Sequence, residues 1–167
     1  MARLRVPLGF ACGVVVFWAA QPTWPALAYG GVVAACGEAL RVWASGHLNK
    51  AREVTSSGPY RWVAHPLYVG SAVMGAGLAV ASRSVIAASI VVAYLAVTLT
   101  VAARSEEASL GEKFREEYAR YRRGLASHDE GSDRRFAIAQ ALANREYRAV
   151  AGLLAGWSLL ALKLLAR

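Results

Sequence analysis

Two short stretches of this sequence hold most of the side chains able to do chemistry. The first is SSGPYRWVAHPLYVG, residues 56–70, in which His65 and Tyr68 stand about one helical turn apart and Tyr60 and Arg61 lie just upstream. A histidine gains or loses its proton near neutral pH, so it can bind a ligand or act as a base. The second is RSEEASLGEKFREEYARYRR, residues 104–123, where the adjacent acids Glu106 and Glu107 precede Leu110, Phe114, Tyr118 and Tyr121. Those four fall on one helical face. An acid pair where a helix leaves the membrane is costly unless matched by a cation. The pair therefore either bridges to Arg104 or Arg61 or takes part in a site. Glu112, Glu116, Glu117 and Arg115 read as a solvated face.

These residues must be positioned by the apolar elements around them. The chain has 167 residues, 56% of them hydrophobic and only 18% charged. Apolar blocks run over 6–20, 26–45, 66–82, 84–103 and 148–165, with QPTWP at 21–25 separating the first two. The fourth block is charge-free, and at ~1.5 Å per residue it spans about 30 Å, one hydrocarbon thickness. The pattern predicts an all-α integral membrane bundle of about five transmembrane helices. The fourth helix continues as an amphipathic cytoplasmic segment through Tyr121, while the fifth block either crosses the membrane or lies against the others. Arg3 and Arg5 precede an apolar stretch as in a signal peptide, but no cleavage site followed by a soluble domain is evident, so this is read as the first membrane helix. Cys12 and Cys36 lie in apolar blocks and read as small buried thiols, without a disulfide or a metal-ligand spacing.

The net charge of +8 is explained by its placement. With the N-terminus in the cytoplasm, sixteen of the nineteen basic residues fall on the inner side, leaving Arg83, Lys163 and Arg167 outside. Such a bias sets membrane orientation and removes the need for a nucleic-acid partner. Residues 46–64 and 104–135 then both face the cytoplasm and flank the hairpin of the third and fourth blocks. The organisation expected is a helical hairpin over 1–45, a core over 46–123 and an extension over 124–167, all in one multi-pass membrane domain. Pro66 suits the first turn of the third helix, where a missing N–H costs nothing. His65 then stands at the helix start, and Tyr68, Ala72, Gly75, Ala76 and Ala79 follow on roughly one face. Small residues there serve either a site or close helix packing.

Together, TSSGPYRWVAHPLYVG, an apolar hairpin and SEEASLGEKFREEYARYRR resemble the isoprenylcysteine carboxyl methyltransferases and the related phospholipid methyltransferases. The resemblance covers about residues 45–123. Gly58, Pro59 and Tyr60 match the family's turn; His65, Pro66 and Tyr68 match its HPxY motif; Glu106 and Glu107 match its acid pair. Phe114, Tyr118 and Tyr121 match its last segment, and Gly75 with Gly77 resembles a GxG of the phospholipid branch. The chain departs from the pattern at Ala64, which replaces an arginine, and at Arg115, which replaces a glycine.

The resemblance implies an integral membrane enzyme using S-adenosylmethionine, with its active site at the cytoplasmic face and a lipophilic acceptor entering from the bilayer. Tyr60, His65, Pro66, Tyr68, Gly75, Glu106, Glu107, Tyr118 and Tyr121 are then the cofactor-binding candidates. His65 and Arg61 are the catalytic ones, Arg61 as substitute for the missing arginine. Methyl transfer requires in-line approach and little covalent help, so positioning and exclusion of water supply most of the rate. A glutamate can hold the donor's positive charge, and tyrosine faces can stack on adenine or meet the sulfonium. The acceptor is a lipophilic or small thiol, carboxyl or amine. Two alternatives stand beside this reading: a nicotinamide-dependent membrane reductase of similar architecture, and a membrane protein without enzymatic activity.

Overall fold

The computed structural model describes residues 5–49, 54–122 and 135–166, and among these it is helical without strands. Helix α1 spans Arg5–Ala19, α2 Trp24–His47, α3 Pro66–Ser82 and α4 Val85–Lys113. Then come α5, Arg115–Arg122, α6, Ile138–Ala143, and α7, Tyr147–Leu165. A 3-10 turn, Gly58–Arg61, precedes α3.

Local chemistry accounts for the breaks. Pro25 occupies the first turn of α2, and Pro66 opens α3 behind His65 as its N-cap. Between α3 and α4, Arg83 adopts a left-handed conformation (φ 46°), and the Ser84 hydroxyl accepts the Ala87 N–H at 3.3 Å to cap α4. Such a cap satisfies a helix-end donor that would otherwise go unpaired.

The most extensive interface joins antiparallel α2 and α3. It closes over glycines in reciprocal pairs. A Cβ on Gly77 would lie 2.5 Å from the Gly30 carbonyl, and one on Gly30 would strike the Gly77 carbonyl. One on Gly37 would lie 2.6 Å from the Gly70 carbonyl, and one on Gly70 2.7 Å from that of Gly37. Backbones approach this closely only where side chains are absent, the usual basis of helix association in lipid. Gly75, by contrast, faces α4, where a Cβ would run into Leu95. Apolar clusters finish the bundle: Ala20, Leu27, Ala81 and Leu160 in one, Val16, Ala87 and Val91 in another.

Helices α4 and α7 are long and apolar enough to cross a membrane, and little of their apolar surface is covered by the rest of the chain. The apolar stretches of α1 and α3 are shorter. Helix α2 has the length, but Glu38 and Arg41 interrupt its apolar run. Phe10, Val14, Trp18, Val85 and Leu162 all point outward, with Trp18 82% exposed. An apolar exterior of this extent suits lipid rather than water.

The sequence expectation needs correcting in two places. The fourth helix does not run unbroken to Tyr121: it ends at Lys113, Phe114 leaves helical geometry (φ −125°, ψ 43°), and α5 begins anew. The cysteines are free but not buried. Cys36 is exposed and Cys12 partly so, because each helix turns part of its apolar surface outward.

Helix α7 is tied to the bundle at both ends and in its middle. The Arg41 Nε donates to Glu146 Oε1 at 2.7 Å, the Trp157 indole donates to the Leu27 carbonyl at 3.2 Å, and Lys163 Nζ donates to the Trp18 carbonyl at 2.9 Å and to that of Phe17. Lys163 thereby neutralises the carbonyl end of α1, where a cation is favoured. At the opposite end, Asn144 donates to the Ser45 and Leu48 carbonyls at 2.8 Å each, and Gln140 to that of Leu48 at 2.8 Å. The segment through α6 therefore caps the C-terminus of α2.

Candidate functional site

The polar side chains singled out above converge where α3 begins and α4 emerges from the apolar bundle. Gly58 has φ +57°, a conformation glycine adopts without strain, and a Cβ there would press on His47 at 2.8 Å. The turn is thus seated on the C-terminal end of α2. Tyr60, at the turn's far side, is buried against Ala44, Leu48 and Leu67. Pro66 then starts α3, and the His65 carbonyl accepts the N–H groups of Tyr68 and Val69 at 3.0 and 3.1 Å. This fixes His65 and Tyr68 on one side of the helix. Their rings stack with centroids 5.4 Å apart.

Across from them, α4 presents its acid pair. Tyr68 donates its hydroxyl to Glu106 Oε2 at 2.7 Å. His65 Nε2 lies 3.1 Å from Glu107 Oε1, and Nδ1 lies 3.7 Å from Glu106 Oε2. An ionised carboxylate only accepts, so the Nε2–H is the donor to Glu107. The two glutamates, adjacent in sequence, grip one imidazole from two sides. They are not equivalent, because Glu106 lines a cavity and Glu107 does not. Side-chain exposure is 20% for His65, 41% for Glu106 and 34% for Glu107, so the network is partly open to solvent.

The cavity has a volume of about 440 Å³. Tyr60, His65, Tyr68, Glu106 and Tyr118 from the expected set line it, together with Ala64, Phe114 and Leu110. Phe114, at the break, and Tyr118 beyond it both line the cavity. Besides Glu107, which stands behind His65, three members of the expected set do not line it. Pro66 is buried in the helix start, Gly75 packs against α4 deeper in the bundle, and Arg61 is exposed and does not line the cavity. The side chain of Tyr121 lies outside those described.

A family model described as phospholipid methyltransferase matches residues 27–117, more than half of the chain. The chain belongs to the phospholipid methyltransferase family. No curated protein and no solved structure matches it. Within this family member, the matched region runs from α2 through the start of α5 and contains every cavity residue named above except Tyr118. Family membership together with the two long apolar helices makes it a membrane protein.

Sequence reasoning had overlooked several residues of this phospholipid methyltransferase-family site. Ala102, Ser109 and Lys113 extend the cavity wall along α4 from Glu106 at spacings of three and four, and Ser105 adjoins Glu106. That periodicity was readable once α4 was continued to Lys113. Leu48, Asn49 and Thr55 also line the cavity. Their approach depends on the chain between α2 and α3 folding back, for which no local sequence signal exists. The Arg41–Glu146 bridge, with Glu38 Oε2 3.9 Å from Arg41, was likewise unforeseen. Arg41 also donates to Ser71 on α3, so one guanidinium ties α2, α3 and the start of α7.

Proposed function

We propose that the chain is an integral membrane methyltransferase using S-adenosylmethionine and acting on a lipophilic acceptor at the cytoplasmic face. The observation that carries this reading is the Glu106–His65–Tyr68 network on the wall of a cavity, inside the region matched to the family and at the mouth of an apolar bundle. Small-molecule sites of about 300–1,000 Å³ are usual, and the roughly 440 Å³ here lies in that range. When bound, the cofactor supplies an electrophilic methyl group on a positively charged sulfur.

Each part of the wall has a role suited to such a ligand. Glu106 offers negative charge to its cationic part. Tyr60, Tyr118 and Phe114 offer flat faces for a purine or a cation. Glu107 orients His65, whose ring stands beside Glu106 and in reach of the cavity, ready to take the proton that a neutral amine or thiol acceptor releases after methylation. An acceptor's lone pair would form the new bond to the methyl group, and the proton it would then release has His65 as its nearest base on the cavity wall. Ala64 supplies no cation at the position where related enzymes have arginine, which favours an amine acceptor over a carboxylate.

The orientation proposed has five spans and a cytoplasmic N-terminus. Glu146 lies level with Arg41 of α2 and Lys163 level with Trp18 of α1, so α7 covers about 26 Å between these ties at ~1.5 Å per residue. Trp18 and Trp24 at one end of the bundle, and the Trp43–Trp62 ring pair at the other, suit the two membrane interfaces.

Calorimetric titration of detergent-purified protein with S-adenosylmethionine, and separately with NADPH, tests the reading. Saturable binding of the first and none of the second is expected. The reverse result establishes a reductase, and binding of neither removes the enzymatic assignment.

A further inference from the structure

The cavity is electrically two-ended. Glu106 stands at its His65–Tyr68 end, while Lys113 lines it seven residues farther along α4. Seven residues make nearly two turns, so both side chains leave the same face, separated along the axis by about 10.5 Å. Ser109 lines the cavity between them and, four residues before Lys113, shares its side of the helix. The Lys113 ammonium lies over the Phe114 ring, 5.5 Å from its centroid, and Phe114 is itself part of the wall. Among the described lining residues Lys113 is the sole lysine or arginine. Ala64 carries no charge there, and Arg61, the motif's own cation, does not line the cavity.

We propose that Lys113, supported by the Ser109 hydroxyl, is the anion-binding residue of this cavity and determines which ligand it accepts. The ligand group recognised is a carboxylate or phosphate, on a molecule whose cationic part rests against Glu106. This rests on the methyltransferase reading, under which two molecules present that chemistry: the methyl donor, through its α-carboxylate, and an aminophospholipid acceptor, through its phosphate. An ammonium point charge with three rotatable donors suits either anion. A lysine at a helix C-terminus also stabilises the helix by itself, so the test must read ligand discrimination rather than stability.

The experiment compares full-length wild type with Lys113→Gln and Lys113→Arg in lipid nanodiscs. One arm measures affinity for S-adenosylmethionine and for its decarboxylated analogue. The other measures KM and kcat for phosphatidylethanolamine and for oleylamine, an amine without phosphate. If the donor carboxylate is the ligand, Lys113→Gln weakens S-adenosylmethionine binding by about tenfold or more and leaves the decarboxylated analogue unaffected. If the acceptor phosphate is the ligand, KM for phosphatidylethanolamine rises by about tenfold or more, while its kcat and the oleylamine KM hold. Lys113→Arg keeps the discrimination in either case. A Lys113→Gln protein that matches wild type in both arms, even if its melting temperature falls, overturns the assignment and leaves the methyltransferase reading standing. A wild type that binds no donor overturns both.

Discussion

Glu106 and Glu107 are neighbours in sequence, yet the structure gives them different consequences when the negative charge is removed. Glu106→Gln keeps a side-chain carbonyl able to accept the Tyr68 hydroxyl, now held at 2.7 Å, so the local geometry is preserved and only the charge is lost. A carboxylate about 4 Å from a ligand cation at an effective dielectric of about 20 contributes about 4 kcal/mol. The Glu106 side chain is 41% exposed, and solvent screening reduces such a pair toward the 0–1 kcal/mol, roughly, of a surface ion pair. A loss of about 1–2 kcal/mol is therefore expected, a roughly 5- to 30-fold weaker Kd for S-adenosylmethionine. Glu107 faces His65 at 3.1 Å and does not line the cavity. Glu107→Gln should cost about 0.5 kcal/mol or less in donor affinity and show itself chiefly in kcat, through the orientation of His65. Calorimetry on the two purified variants, with melting curves to establish an intact fold, reads the difference. Donor affinity lowered as much by Glu107→Gln as by Glu106→Gln would refute the division of roles. Unchanged affinity in both would return the acid pair to a purely structural function.

Gly77→Ala should lower stability by about 1–3 kcal/mol, as overpacking does, because the new Cβ would lie 2.5 Å from the Gly30 carbonyl. Gly152→Ala, with nothing within 4 Å, is the control, and equal melting temperatures for the two would disprove the close α2–α3 contact. Arg41→Ala strands the Glu146 and Glu38 carboxylates, each under 10% exposed, and should cost about 3–5 kcal/mol. Adding Glu146→Ala should restore part of that loss, and strictly additive effects in the double-mutant cycle would mean the bridge is absent. For orientation, single cysteines at Gln21 and Arg61, both exposed, are introduced after replacing Cys12 and Cys36 with alanine. An impermeant thiol reagent applied to intact cells should label position 21 and spare position 61, and labelling of both contradicts the proposed sidedness.

Much of the site was legible before folding because its signals are local. The Gly58–Pro59 turn, the proline at the start of α3 and the N-capping place of His65 follow from backbone preferences that a few consecutive residues settle. Helical spacing put Tyr68 beside His65, and placed Leu110, Phe114 and Tyr118 on a common face that all three still turn to the cavity. The long apolar blocks determined the helical class because backbone groups in lipid must bond within their own segment. What separates Glu106 from Glu107, or Lys113 from Arg61, is not local. Each pair is similar in charge and close in character, and only the packing of α4 against α3 decides which member faces the cavity. The same holds for the glycines. Gly75 and Gly77 differ by two residues, about 200° around a helix, so one meets α4 and the other α2, and sequence spacing cannot say which partner stands on which side. Arg41 and Glu146, 105 residues apart, had no reason to be linked until α7 folded back along the bundle. Contacts between distant segments arise from the joint arrangement of whole helices, which no short window of residues encodes.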